Sequence, residues 1–159
     1  MNEIGKEFEE LVKIVSRLRH PDGCPWDRDQ TSQSLIPFLI EEIYELIESI
    51  DEENWETVKE ELGDVMLHIV FQASIADDNQ QFKLEEVLKT INEKLIKRHP
   101  HVFNIDEVGI TRDFNKDWEI SKHKDKGRES RLDGVPKNLP SIIKAQRLQQ
   151  QASLAGFDW

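Results

Sequence analysis

Two short acidic clusters, each spaced for one face of a helix and separated by a break, restrict what this chain can fold into. The sequence carries Glu41, Glu42 and Glu45, then a break from Asp51 to Asn54, then Glu60, Glu61 and Asp64. Residues three or four apart share a side of an α-helix, so Glu42 and Glu45 face together from a first helix and Glu61 and Asp64 from a second. If the break is a tight turn between antiparallel helices, residues equidistant from it lie at one level. About a centre near Glu53, Glu45 then falls opposite Glu61 and Glu42 opposite Asp64. Four carboxylates converge on one small volume, and like charges so placed repel unless something neutralises them. No basic residue lies between Arg28 and Lys59, while that stretch holds nine acids. The partner this pattern predicts is a divalent cation rather than a solvated acidic face.

Oxygen-only ligands favour a hard ion, Mg²⁺ or in its place Mn²⁺, held by a few carboxylates together with waters and phosphates. A di-iron bundle fits less well. It needs Glu-x-x-His on each of two helices, and three residues after Glu61 stands Asp64.

Hydrophobic period extends the helical reading along the chain. Ile4, Phe8, Leu11, Val12, Val15 and Leu18 predict a helix from about Asn2 to Leu18. His20 to Asp29, with two prolines and a glycine, reads as a non-helical connection. Thr31 or Ser34 can cap the next helix, where Pro37 sits in the first turn or makes a kink; it runs to about Ile50 with Phe38, Leu39, Ile43, Leu46, Ile47 and Ile50 inward. A third helix, Asn54 to about Asp77, turns Trp55, Val58, Leu62, Val65, Ile69, Val70 and Ala73 inward. Within it Gly63 suggests a close approach by a helix or ligand.

A fourth helix begins near Leu84 and stops before Pro100, followed by a loop from His101 to Asp113. A short helix near 114–123, a charged linker and a final helix from about Pro140 to Ala155 complete the chain. No run alternates as a strand does, so the fold class expected is an all-α helical bundle. The broad apolar stripes of the first and fourth helices suggest a second subunit to cover them, hence a homodimer.

At 159 residues the simplest expectation is one domain, and a net charge of −11 argues against nucleic acid or an anionic membrane as a bulk partner. With no apolar signal region and no apolar run of membrane length, the reading is a cytoplasmic protein. The single cysteine, Cys24, excludes an internal disulfide and a cysteine zinc cluster.

Groups suited to an anion lie further along. Lys94 and Arg98 are four apart on one helical face, as are Trp118 and Lys122. An arginine fork and a lysine point charge suit phosphate oxygens, and a tryptophan face suits a base. Cations at a helix C-terminus also complement its dipole, and a lone tryptophan often belongs to a core. Beside a carboxylate cluster, such a basic cluster in an acidic chain suggests phosphate ester chemistry.

Glu41-Glu42-Ile-Tyr-Glu45 followed by Glu61-Leu-Gly-Asp64 resembles the paired acidic signature of the MazG family of nucleoside triphosphate pyrophosphohydrolases. So do Cys24-Pro-Trp-Asp27 with Gln30-Thr31, Lys94-Leu-Ile-Lys-Arg-His-Pro-His-Val-Phe103, Leu132-Asp-Gly-Val-Pro136 and Gly156-Phe-Asp-Trp159, in the same order. The acidic signature alone belongs to a wider all-α pyrophosphohydrolase superfamily; the flanking motifs narrow it. The resemblance implies a dimeric all-α enzyme that hydrolyses nucleoside triphosphates to monophosphate and pyrophosphate with Mg²⁺. Carried onto this chain, the metal ligands would be Glu42, Glu45, Glu61 and Asp64, with Glu41 supporting them or orienting water. Lys94 and Arg98 would meet phosphates, and Trp118 and Lys122 the nucleotide. Gly156-Phe-Asp-Trp159 resembles the junction that introduces a second such domain in larger family members. Within this reading the base preference is broad. The alternatives are a specialised dNTP or phosphoribosyl-nucleotide hydrolase, and a non-catalytic helical module that binds metal or nucleotide.

Overall fold

The structure, a computed structural model, describes residues 2–103, 130 and 132–157. Its helices are α1 (Glu3–Arg19), α2 (Pro25–Arg28), α3 (Ile36–Asp51), α4 (Trp55–Asp78), α5 (Leu84–Arg98), α6 (Pro100–Phe103) and α7 (Ser141–Leu154), with no strand among the described residues. The chain forms two compact units, Met1–Thr90 and Ile91–Trp159. The expected helix near 114–123, with Trp118 and Lys122, lies outside the described residues.

Local chemistry sets the helix ends of the first unit. Asn2 caps α1, its side-chain oxygen accepting from Gly5 N–H at 2.9 Å. Asn54 caps α4 in the same way toward Thr57. Pro37 takes a place in the first turn of α3, where a missing N–H is no loss, so no kink arises. Thr31 and Ser34 do not cap that helix directly. They exchange hydrogen bonds, Thr31 N–H to Ser34 Oγ at 2.9 Å and Ser34 N–H to Thr31 Oγ1 at 3.1 Å, and close the turn that leads into it.

The turn between α3 and α4 is built on Glu53, at φ 56°. Its N–H donates to Ile50 O, and Asn54 N–H reaches back to Ser49 O at 3.0 Å, the two bonds of a Schellman ending. This left-handed residue reverses the chain so tightly that α3 and α4 run as a hairpin.

The stretch expected to be wholly non-helical, His20 to Asp29, contains the one-turn α2. Pro25 opens it, because proline is compatible with a first helical position. Gly23 has its own reason to be glycine: a Cβ there would collide with the carbonyl oxygens of Arg17 and Leu18. In the stretch read as a loop from His101, residues up to Phe103 belong to α6.

Val15, Leu35, Val70, Phe71 and Ile75 form the core, with Phe8, Leu11, Val12, Leu67 and Leu84 packed against it. The stripe of α1 from Phe8 to Val15 is therefore packed into this core against α4, while Ile4 stays exposed. Arg19, at the end of α1, locks this end of the unit: its side chain is 8% exposed and donates to Asp27 O at 3.0 Å and to the Asp78 carboxylate at 2.6 Å. The guanidinium carbon lies 5.3 Å from the centre of the Phe71 ring. Removing these charged hydrogen bonds and the cation–π contact by Arg19→Ala is expected to cost about 2–3 kcal/mol in urea unfolding. A loss below about 0.5 kcal/mol would show that this clamp contributes little.

Several residues expected to point inward do not. Ile43, Ile47 and Ile50 on α3, with Leu62 and Ile69 on α4, are between 40% and 51% exposed, and so are Ile40 and Met66 beside them. Their spacing of three and four is that of a helix-packing seam. The apolar stripe on these two helices is wider than one neighbouring helix can cover, so each packs on the other with one edge and exposes the rest. Phe38 and Trp55 are exposed as well, whereas Val58, Val70 and Ala73 are buried as expected. Gly63 meets no close neighbour: no described atom comes within 4 Å of where its Cβ would stand.

In the second unit, α7 ends on Gly156 at φ 91°, and Phe157 N–H returns to Ala152 O at 3.0 Å. This is the same ending as at Glu53, here with the residue that adopts it without strain. Among the described residues no helix is long and apolar enough to cross a membrane.

Candidate metal centre

The hairpin brings the acidic clusters together. Glu42 and Glu45 on α3 and Glu61 on α4 each offer a carboxylate oxygen, and these oxygens all lie within 4.8 Å of one another. Glu61 is only 8% exposed, Glu42 is half-buried and Glu45 faces solvent. The Glu42 and Glu61 carboxyls face each other across the two helices. Asp64, half-buried on the next turn of α4, adds its charge to both but lies outside this tight trio. Glu41 is exposed, and its charge bears on Glu42.

Burial is the largest cause raising both carboxyl pKa values above the ordinary 4.5. For Glu42 the charges of Asp64, Glu45 and Glu41 raise it further, partly offset by the hydrogen bond that the Glu61 carboxyl can share with it when one of the two is protonated; for Glu61 the charges of Glu45, Glu42, Asp64 and Glu60 add to burial. Nearby cations do not relieve this. Lys59 pairs with Glu56 and Arg28 with Asp29. The ion pairs of Lys13 with Glu9, Arg19 with Asp78, Arg28 with Asp29 and Lys59 with Glu56 all lie away from the cluster. Acidic oxygens that are close, desolvated and uncompensated fit a hard divalent cation.

These shifts have a sign that can be tested. A carboxyl with a raised pKa holds more protons folded than unfolded, so in the metal-free protein its contribution to stability falls as pH rises from 4.5 through the raised values. Those same protons compete with a cation. On lowering pH into that window, the apparent Mn²⁺ affinity is expected to fall about tenfold per pH unit for each proton displaced. Calorimetric titrations at a series of pH values measure this, and an affinity independent of pH there would remove Glu42 and Glu61 from the ligand set.

The basic residues belong to the second unit. Arg98 ends α5 at 8% exposure, and Lys94 is half-buried one turn earlier. Cys24 is a half-buried free thiol.

One polar residue near the acids escaped the sequence reading. His68 lies on α4 one turn beyond Asp64 and is 8% exposed, and its Nδ1 is buried without a hydrogen-bond partner. Burial lowers its pKa from 6.5, with Asp64 pulling the other way. A search limited to histidine three residues after glutamate passes over it. The spacing Glu61-x-x-Asp64-x-x-x-His68 would have found it, since all three share one stripe of the helix.

Residues 30–103 match the MazG nucleotide pyrophosphohydrolase domain. A Thermotoga maritima protein named nucleoside triphosphate pyrophosphohydrolase/pyrophosphatase MazG is 52% identical over 161 residues, covering 100% of this chain and 62% of that protein. The nucleoside triphosphate pyrophosphohydrolase of Escherichia coli is 36% identical over 157 residues, covering 96% of this chain and 60% of its own length. This chain thus spans about three fifths of each of these relatives. The crystal structure of a mazG-related protein from Thermotoga maritima superposes with a TM-score of 0.60 at 28% identity, over 72% of this chain and 97% of that one. The matched residues include both carboxylate helices and the segment Lys94–Phe103, and the chain belongs to the MazG nucleotide pyrophosphohydrolase family.

Proposed function

We propose that this chain hydrolyses nucleoside triphosphates to the monophosphate and pyrophosphate, using Mg²⁺ held by Glu42, Glu45, Glu61 and Asp64. The observation that carries this reading is the trio of carboxylate oxygens within 4.8 Å on facing helices. Its support from likeness is the name shared by the Thermotoga and Escherichia relatives. Bound there, Mg²⁺ would polarise the phosphoryl oxygens and lower the pKa of a coordinated water. The chain's own residues do the rest. Glu42 and Glu61, partly desolvated, supply fixed negative charge for the cation; Glu45, open to solvent, leaves room for substrate and water. Glu41 lies at the edge, where a carboxylate can orient water. Lys94 and Arg98 are assigned to the phosphates by the chemistry of ammonium and guanidinium groups, and Trp118 with Lys122 to the nucleotide. Broad base specificity goes with this reading, as does a cytoplasmic setting where triphosphates are available.

The apolar seam on α3 and α4 supports a homodimer. In such a dimer the two hairpins would pack as a four-helix arrangement, each covering the isoleucines of the other.

A panel of ribo- and deoxyribonucleoside triphosphates with Mg²⁺, its products separated, tests the activity. Monophosphate and pyrophosphate from several bases, lost on chelation, are expected. Turnover of a single deoxynucleotide or phosphoribosyl nucleotide would narrow the enzyme to a specialised one, and Mg²⁺-dependent binding without turnover would make it a regulatory module.

A further inference from the structure

We propose that His68 is a positioning residue of the carboxylate centre, its ring N–H holding Asp64 in the orientation that completes the ligand set. This rests on the metal reading above and adds to it a residue outside the acidic motif.

Three observations converge. First, Asp64 is the one member of the acidic quartet that stands apart from the tight trio, so something must turn its carboxylate for it to join the others. Second, Asp64 one turn earlier is near enough for its charge to act on the imidazole, and side chains on a helix lean toward its N-terminus, the direction in which Asp64 lies. Third, a buried polar nitrogen without a partner is disfavoured, and Nδ1 of His68 is one, in a residue that is 8% exposed. A residue needed only to fill space there would be better apolar.

The chemistry suits the task. Burial keeps the imidazole neutral near neutral pH, with one N–H to give. A carboxylate bound to a metal through one oxygen has a second oxygen that is regularly hydrogen-bonded, and such bonds fix ligand orientation and tune affinity. The N–H at Nδ1 would donate to that second oxygen. No general acid or base role is assigned to His68, since its part is to hold Asp64 and not to touch the reacting atoms.

The test is Mn²⁺ binding to the full chain without nucleotide, followed by calorimetry, so that it reads the ligand set and not turnover. His68→Leu is expected to melt no lower than the parent, because it replaces an unpaired buried polar group, yet to bind Mn²⁺ about 10–100-fold more weakly. In His68→Asn the amide nitrogen takes the place of Nδ1, and affinity is expected to stay within about threefold, whereas Gln, whose amide sits at the place of Nε2, loses about tenfold. The Asn and Gln pair decides the matter should the leucine variant fail to fold. Leucine binding as tightly as the parent, or Asn and Gln binding alike, overturns the role of His68. If that occurs while Glu61→Gln abolishes binding, the metal reading stands without His68; if the parent itself does not bind Mn²⁺, both fall.

Discussion

Glu61→Gln is expected to lower kcat/KM by about 10²–10³-fold while leaving the metal-free protein at least as resistant to heat as the parent. The two halves of this expectation come from one fact. Glu61 is nearly buried and surrounded by the charges of Glu45, Glu42, Asp64 and Glu60. In the absence of a cation, those surroundings oppose its ionised form. Glutamine keeps the shape but removes the charge, so repulsion is relieved. With a cation, the same charge is what binds it, and neutralising it weakens both the metal and the charge stabilisation in the transition state. Melting curves with and without Mg²⁺ should therefore cross: the parent gains from Mg²⁺ and the variant does not. A residue that served only the fold would lose stability in both conditions, and near-parental activity would take Glu61 out of the site.

Ile47→Asp is expected to shift the chain from dimer to monomer, with a dissociation constant raised on the order of 10³-fold or more. Ile47 is 47% exposed in the single chain, with Ile43 and Ile50 on the same edge. In a two-fold symmetric dimer each substitution counts twice, because both copies bring an unpaired carboxylate into an apolar contact. The isolated chain tolerates the change, since the position is already half open to water. Sedimentation velocity over a range of concentration separates the cases. A parent that remains monomeric at every concentration would contradict the dimer, and a variant that dimerises like the parent would place the interface elsewhere.

Helix positions were legible in the sequence because caps and stops are local. Asn2 and Asn54 act within a turn of themselves, and the helices they open begin within a residue of expectation, whereas α3 begins at Ile36, after a cap at Leu35 rather than at Thr31 or Ser34. The pairing of acids across the hairpin was legible too, because one left-handed residue, Glu53, sets its register. The detail differed: Glu42, Glu45 and Glu61 draw together while Asp64 stands aside, since carboxylates on real helices settle by rotamer and burial as well as by level. What period alone misjudged was inward against outward on α3 and α4. Ile43, Ile47, Leu62 and Ile69 belong to a stripe whose pattern is identical whether its cover is the same chain or another. His68 was missed for a different reason: it stands four residues after Asp64, outside the Glu-x-x-His pattern, and the buried nitrogen without a partner is visible only in the fold.

The most direct measurement of the central claim is hydrolysis of a nucleoside triphosphate in ¹⁸O-water with Mg²⁺, the products resolved by mass spectrometry. Attack by a water at the α-phosphorus leaves the new oxygen on the monophosphate, and the bridging oxygen departs with pyrophosphate. One ¹⁸O per monophosphate, none in the pyrophosphate, and no reaction after chelation are the results expected. Label in the pyrophosphate, or diphosphate and phosphate as products, would contradict it.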